Sequence, residues 1–71
     1  MVYTLTNEEK IDIINQHLKN LHYSKFNIEI SLIEENAKSV KDTEQIASLN
    51  EQAVDIDSRI AALEDKIEEL S

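Results

Sequence analysis

An uninterrupted seven-residue repeat of apolar side chains in the second half of the chain constrains the fold more than any other feature. Between residues 46 and 70 an apolar residue recurs at alternating steps of three and four. Such steps place the side chains along one stripe of an α-helix, at the a and d positions of a heptad, as in coiled coils. The repeat comprises Ile46, Leu49, Ala53, Ile56, Ile60, Leu63, Ile67 and Leu70.

The first half of the chain carries a similar repeat with one interruption. Its apolar members are Ile11, Ile14, Leu18, Leu21, Ile28 and Leu32. Lys25 occupies an a position among them, where a lone lysine typically sets the register or the number of associating helices. Thr6 with Glu9, and Asp42 with Gln45, have the spacing of capping boxes, so we expect one helix to begin after Thr6 and another after Asp42.

The composition favours the same structural class. The 71 residues include no glycine and no proline, which the tight turns of β folds need, so an all-α fold is expected. Residues 26–32 alternate apolar and polar side chains as a strand does, but a lone strand has no neighbour to pair with, and we interpret this stretch as helix. Without cysteine, a chain this short is expected to gain stability by self-association.

The middle of the chain decides between two arrangements of the helices. The heptad phase continues from the first half into the second, so a single long helix in a parallel coiled coil is one possibility. Glu35, Ser39 and Asp42 interrupt the apolar repeat at three successive positions and favour a chain reversal. We therefore predict a single domain over residues 1–71, an antiparallel two-helix coiled-coil hairpin with helices at about 7–37 and 43–70 and a turn at about 38–43.

A second set of apolar residues lies outside the repeat and forms the candidate interface. These residues are Phe26, Ile30, Ile33, Ala37 and Val40 in the first half and Ala47, Val54 and Ala61 in the second. Exposed apolar patches usually mark interfaces. Three occupants are open: a second copy, giving a helical bundle with a dimer favoured; a helix of another protein; or the first five residues of this chain.

The charge is distributed unevenly along the chain. The net charge is −8: residues 1–41 hold six acidic residues and five lysines, whereas residues 42–71 hold nine acidic residues against one arginine and one lysine, giving −7. Such a surface repels phosphate, so we expect no direct binding of nucleic acid or membranes, while a basic protein surface remains a possible partner. The first residues lack the basic start and apolar stretch of a signal peptide, and a cytoplasmic location is expected.

The residue types that carry chemistry do not form a recognisable site in the sequence. His17 and His22 are five residues apart and lie on different sides of a helix, unlike a zinc-binding pair. We expect His22 to pair with Asp57 across the hairpin, and we interpret the acidic residues at the open end as a solvated surface. Because no nucleophile stands in a motif with an activating base, the sequence predicts no catalytic, cofactor or metal site and no enzyme.

Four stretches of the sequence carry a family resemblance. They are Tyr-Thr-Leu-Thr-Asn-Glu-Glu-Lys at 3–10, Ser-Leu-Ile-Glu-Glu-Asn-Ala at 31–37, Ala-Ser-Leu-Asn at 47–50 and the closing heptads. With these the chain resembles short uncharacterised proteins of tailed phages that infect marine cyanobacteria. The resemblance implies synthesis in an infected bacterial cytoplasm and no particular activity.

Two functions are consistent with the sequence. The first is a non-enzymatic structural or protein-interaction module that self-associates through its apolar helix faces. The alternative is a small acidic effector that binds a basic site on a host protein, as a mimic of nucleic acid. Glu51, Asp55 and Ser58 lie along one outer line of the second helix, which matches the regular carboxylate spacing of such a mimic only in part.

Overall fold

The chain folds as two α-helices that pack side by side in opposite directions. A computed structural model describes residues 4–71, with α1 at Asn7–Asn36, α2 at Thr43–Leu70 and a turn at residues 37–42. The molecule measures 60 × 21 × 15 Å. The predicted all-α hairpin is confirmed, and the alternative of one continuous helix is wrong. Residues 26–32 lie within α1 despite their strand-like alternation.

Side-chain caps begin both helices where the sequence places them. Thr6 Oγ1 accepts from Glu9 N at 3.2 Å, and Glu9 Oε1 accepts from Thr6 N at 3.0 Å, which completes a capping box. Asp42 Oδ1 accepts from Gln45 N at 3.1 Å at the start of α2. These bonds satisfy backbone N–H groups that have no partner within the helix.

The end of α1 and the turn form without a left-handed residue. No residue of the described chain has a positive φ, and Ala37, which follows the helix, keeps right-handed helical angles. Ala37 N donates to the carbonyls of Ile33 and Glu34 at 3.1 and 3.3 Å, and Lys38 N donates to that of Glu35 at 3.4 Å, so three of the last four carbonyls are satisfied. Asn36 Nδ2 also donates to Leu32 O at 2.8 Å. A glycine cap is therefore not needed to end this helix.

A small core lies towards the closed end of the hairpin. Ile28 of α1 packs with Leu49, Ile56 and Ile60 of α2, and these four are the most buried apolar side chains among residues 4–71. The half-buried residues packed against them are Leu18, Leu21, Leu32 and Ala53. At the open end, Asn7 Nδ2 donates to Leu70 O at 3.2 Å and joins the start of α1 to the end of α2. Two helices alone cannot enclose a large core, so the other apolar seam side chains are only half-buried.

Candidate interaction surface

The contact between the helices is formed by their a and d positions, which we call the seam. Every apolar residue assigned to the seam from the sequence is buried or half-buried. These residues are Ile11, Ile14, Leu18, Leu21, Ile28, Leu32, Ile46, Leu49, Ala53, Ile56, Ile60, Leu63, Ile67 and Leu70. Because the seam is occupied by the partner helix of the same chain, it is closed to other partners.

Lys25 belongs to the seam, yet its amine reaches out of it to α2. Its Nζ lies 2.7 Å from Asp57 Oδ1, and the two side chains are 35% and 53% exposed. The hydrogen bond and the charge of Asp57 raise the pKa of Lys25 above the ordinary value of 10.5. The partner of Asp57 is thus Lys25 rather than His22, because the flexible lysine stem can leave its a position to reach the carboxylate.

A second ion pair lies at the closed end of the hairpin. Glu35 occupies a d position just before α1 ends, and its side chain is only 16% exposed. Lys38 Nζ donates to Glu35 Oε1 at 2.8 Å, and this contact raises the pKa of Lys38. Glu35 Oε2 is buried and has no hydrogen-bond partner. One of the three polar residues that predicted the turn, Glu35, is therefore joined by an ion pair to Lys38 in the first part of the turn.

The outer face of α1, opposite the seam, carries a continuous line of exposed side chains, which we call the outer row. Its members are Tyr23, Phe26, Ile30 and Ile33 of α1, and Ala37, which follows the helix and keeps right-handed helical angles. They occupy b and f positions of the heptad, on the far side of the helix from a and d. Phe26 and Ile33 are 59% and 65% exposed, and Ile30 is 39% exposed.

The outer row differs at both ends from the interface predicted from sequence. Tyr23, 62% exposed, was missed, although it stands three residues before Phe26 in the same phase and could have been found by extending the steps. Lys19 Nζ lies 6.0 Å from the centre of the Tyr23 ring. The apolar line therefore ends at Tyr23, where the charged Lys19 begins the next turn of the helix. Val40 is exposed, but it lies in the turn after α1 has ended and is therefore not part of the helical row.

The three candidate interface residues of α2 do not continue the outer row. Ala47, Val54 and Ala61 are all exposed, at b positions seven residues apart. The f positions between them hold Glu51 and Ser58. A face that alternates small apolar residues with polar ones is a poorer site for an apolar partner than the outer row of α1.

The start of the described chain lies at the open end, far from the outer row. Leu5 lines a shallow apolar depression with Ile13, Ile14 and Leu70. Ile14 is nine residues before Tyr23, the first member of the row, which corresponds to about 14 Å along the helix. The suggestion that residues 1–5 cover the row rests on Met1–Tyr3 as well, and these lie outside the described residues.

The described residues lack two other features, a cluster of metal-ligating side chains and a membrane-spanning helix. Within residues 4–71, no three or more histidine, aspartate or glutamate side chains are grouped so that they could hold a metal ion. Neither α1 nor α2 has an apolar stretch long enough to cross a membrane. Comparison of the chain with models of protein families, with curated protein sequences and with solved structures gave no match.

Proposed function

We propose that this chain is a non-enzymatic interaction module that self-associates through the outer row of α1, with a dimer favoured. The observation that carries the proposal is the line of exposed apolar side chains on the face of α1 that α2 leaves uncovered. Phe26 and Ile33 keep more than half of their surface in water. Burying apolar surface is favourable by roughly 25 cal/mol per Å², and contiguous patches of this kind normally mark interfaces.

The charge distribution supports α1 rather than α2 as the contact surface. Residues 19–41, which include the outer row, hold four lysines and three glutamates, a net charge of +1. Residues 42–71 carry −7. Two copies that meet through α1 bring nearly neutral surfaces together, whereas two copies that meet through α2 bring like charges together.

The proposal is tested with two matched substitutions. Ile33 and Val54 are 65% and 66% exposed, on α1 and α2 respectively. We expect sedimentation velocity to show a dimer for the wild type and for Val54→Glu, and a monomer for Ile33→Glu, with helical circular dichroism retained in all three. A wild-type chain that stays monomeric up to millimolar concentration would contradict the proposal, and so would equal effects of the two substitutions.

A second candidate function is that of an acidic effector that binds a basic site on a host protein. It is favoured by the exposure of the acidic residues of α2. These are Glu44, Glu51, Asp55, Asp57, Glu64, Asp65, Glu68 and Glu69. Binding through them should weaken steeply with added salt, whereas association through the outer row should persist, since screening reduces repulsion between the acidic copies.

The cellular setting is also part of the proposal. The resemblance to short phage proteins at residues 3–10, 31–37 and 47–50 supports synthesis in the cytoplasm of an infected bacterium. The charge of −8 supports a partner that is a protein rather than a nucleic acid or a membrane surface. The proposal assigns no catalytic residue and no cofactor.

A further inference from the structure

We propose that the occupant of the outer row is a second copy of this chain packed antiparallel, with Ile30 of each copy against Ile33 of the other and the hairpins overlapping only near their closed ends. This inference rests on the proposed self-association and adds its orientation and register. It differs from a compact four-helix bundle, because the outer row lies nearly opposite the seam. The four helices would lie side by side in the order α2, α1, α1, α2.

The spacing of the outer row suits this register. Phe26, Ile30, Ile33 and Ala37 follow one another at steps of four, three and four, and this series reads the same in both directions. Two antiparallel copies can therefore place each of these four residues opposite one of the same four in the other copy. Phe26, the largest of the four, then faces Ala37, the smallest, which lets the two helix axes keep an even distance along the contact.

The charged residues beside the outer row favour this register over the two adjacent antiparallel registers. In a twofold pair of antiparallel helices, residues on one flank of the contact face the same flank of the partner. With Ile30 opposite Ile33, Glu29 faces Asn36 of the second copy, and Glu34 faces Asn27. Sliding one helix by one heptad in one direction puts Glu29 opposite Glu29 of the second copy, and sliding it by one heptad in the other direction puts Glu34 opposite Glu34.

The same glutamates disfavour a parallel pair. Consider two parallel α1 helices that meet through their outer rows. Each residue on the flank that carries Glu29 then faces the residue five positions later, on the opposite flank of the second copy. Glu29 would therefore face Glu34 of the second copy, twice in each dimer. Like charges placed opposite one another oppose association. Of the four arrangements considered, only the central antiparallel register opposes no two carboxylates.

The acidic open ends favour the same orientation. The open end of the hairpin brings the acidic residues at the start of α1 close to those at the end of α2. These are Glu8, Glu9, Asp12, Glu64, Asp65, Glu68 and Glu69. Parallel hairpins would hold two such ends side by side, whereas the antiparallel register places them at opposite ends of the dimer. The monomer is 60 Å long, and the twofold axis of the dimer passes between residues 31 and 32 of each α1. Such a dimer is therefore about 100 Å long.

Distances between single spin labels test the orientation. The chain contains no cysteine, so each of the two variants Asn20→Cys and Asn27→Cys can be labelled at one position. Both positions are exposed and lie on one flank of the outer row. We expect about 35 Å between the labelled backbones at position 20 and about 17 Å at position 27 in the antiparallel dimer. A parallel dimer would give similar short distances of about 10 Å at both positions, and this result would overturn the inference.

A charge exchange at position 27 tests the register. Asn27 has no charged residue three or four positions away on its own helix, so substitution there acts chiefly across the interface. Asn27→Lys, placed opposite Glu34 twice in each dimer, should tighten the dimer about three- to tenfold, and Asn27→Glu should weaken it by a similar factor. Equal dimer affinities of the two variants would overturn the register.

The outcomes distinguish the inference from the proposed function on which it rests. If Ile33→Glu dissociates the dimer and Val54→Glu does not, self-association through the outer row is supported. If the label distances at positions 20 and 27 are then similar, the antiparallel arrangement is overturned. A scattering length near 60 Å for the dimer would do the same. A monomeric wild type overturns both.

Discussion

At the scale of single residues, Lys25 shows how one polar side chain is accommodated in an apolar seam. Its a position lies between Leu21 and Ile28, and a charge held there without a partner would be unfavourable. The long stem lets the amine leave the seam, and its Nζ lies 2.7 Å from Asp57 Oδ1. The ion pair is partly exposed, so solvent screens it and its contribution to stability is small.

We expect Lys25→Met to raise the free energy of unfolding. A partly exposed ion pair contributes little to stability, whereas a half-buried apolar side chain in the seam stabilises the fold through burial. Urea denaturation followed by circular dichroism, at one fixed chain concentration, measures the change. Asp57→Asn, which removes the ion pair and keeps the lysine, serves as the control and should lower the free energy slightly. A loss of stability in Lys25→Met would show that the ion pair outweighs burial.

At the scale of the helices, the sequence marks the start of each helix more clearly than it marks the end of α1. Thr6 and Asp42 cap α1 and α2 by side-chain hydrogen bonds that act over three residues, and local bonds of this kind can be read from the sequence. The end of α1 depends on Asn36 and Ala37 without a glycine signal.

Removal of the cap of α1 should weaken the whole hairpin. Thr6→Ala deletes the acceptor of the Glu9 N–H bond, and we expect it to lower the free energy of unfolding by about 1 kcal/mol. Thr4→Ala, at an exposed position before the cap, is the matched control and should have little effect. Denaturant titrations of the two variants and the wild type measure the difference. If Thr4→Ala and Thr6→Ala destabilise equally, the capping box does not act as the structure indicates.

The candidate interface shows which parts of the surface could be predicted and which could not. The b and f positions of α1 follow from the heptad phase, so the exposure of Phe26, Ile30 and Ile33 agrees with a pattern visible in the sequence. Val40 fits the same steps, yet it lies in the turn, which the interrupted repeat predicts at about 38–43. The pairing of Lys25 with Asp57 depends on where a flexible side chain reaches, which heptad positions alone do not fix.

At the scale of the whole molecule, a two-helix hairpin buries too little to be strongly stable by itself. Only Ile28, Leu49, Ile56 and Ile60 are buried among the described residues, and none of the described side chains is completely enclosed. Chains of this size without disulfides or metals usually depend on association for part of their stability. The proposed contact through the outer row would therefore link folding to chain concentration.

We expect the melting temperature of the wild-type chain to rise with chain concentration, because association of the folded state draws the folding equilibrium towards it. Ile33→Glu should melt at one temperature across the same concentrations, since its folded state stays monomeric. Val54→Glu, a change of equal exposure on α2, should keep the concentration dependence of the wild type. Thermal denaturation followed by circular dichroism from micromolar to millimolar concentration gives the comparison. A wild-type melting temperature that does not change with concentration would mean that the hairpin folds alone and that the outer row contributes nothing to its stability.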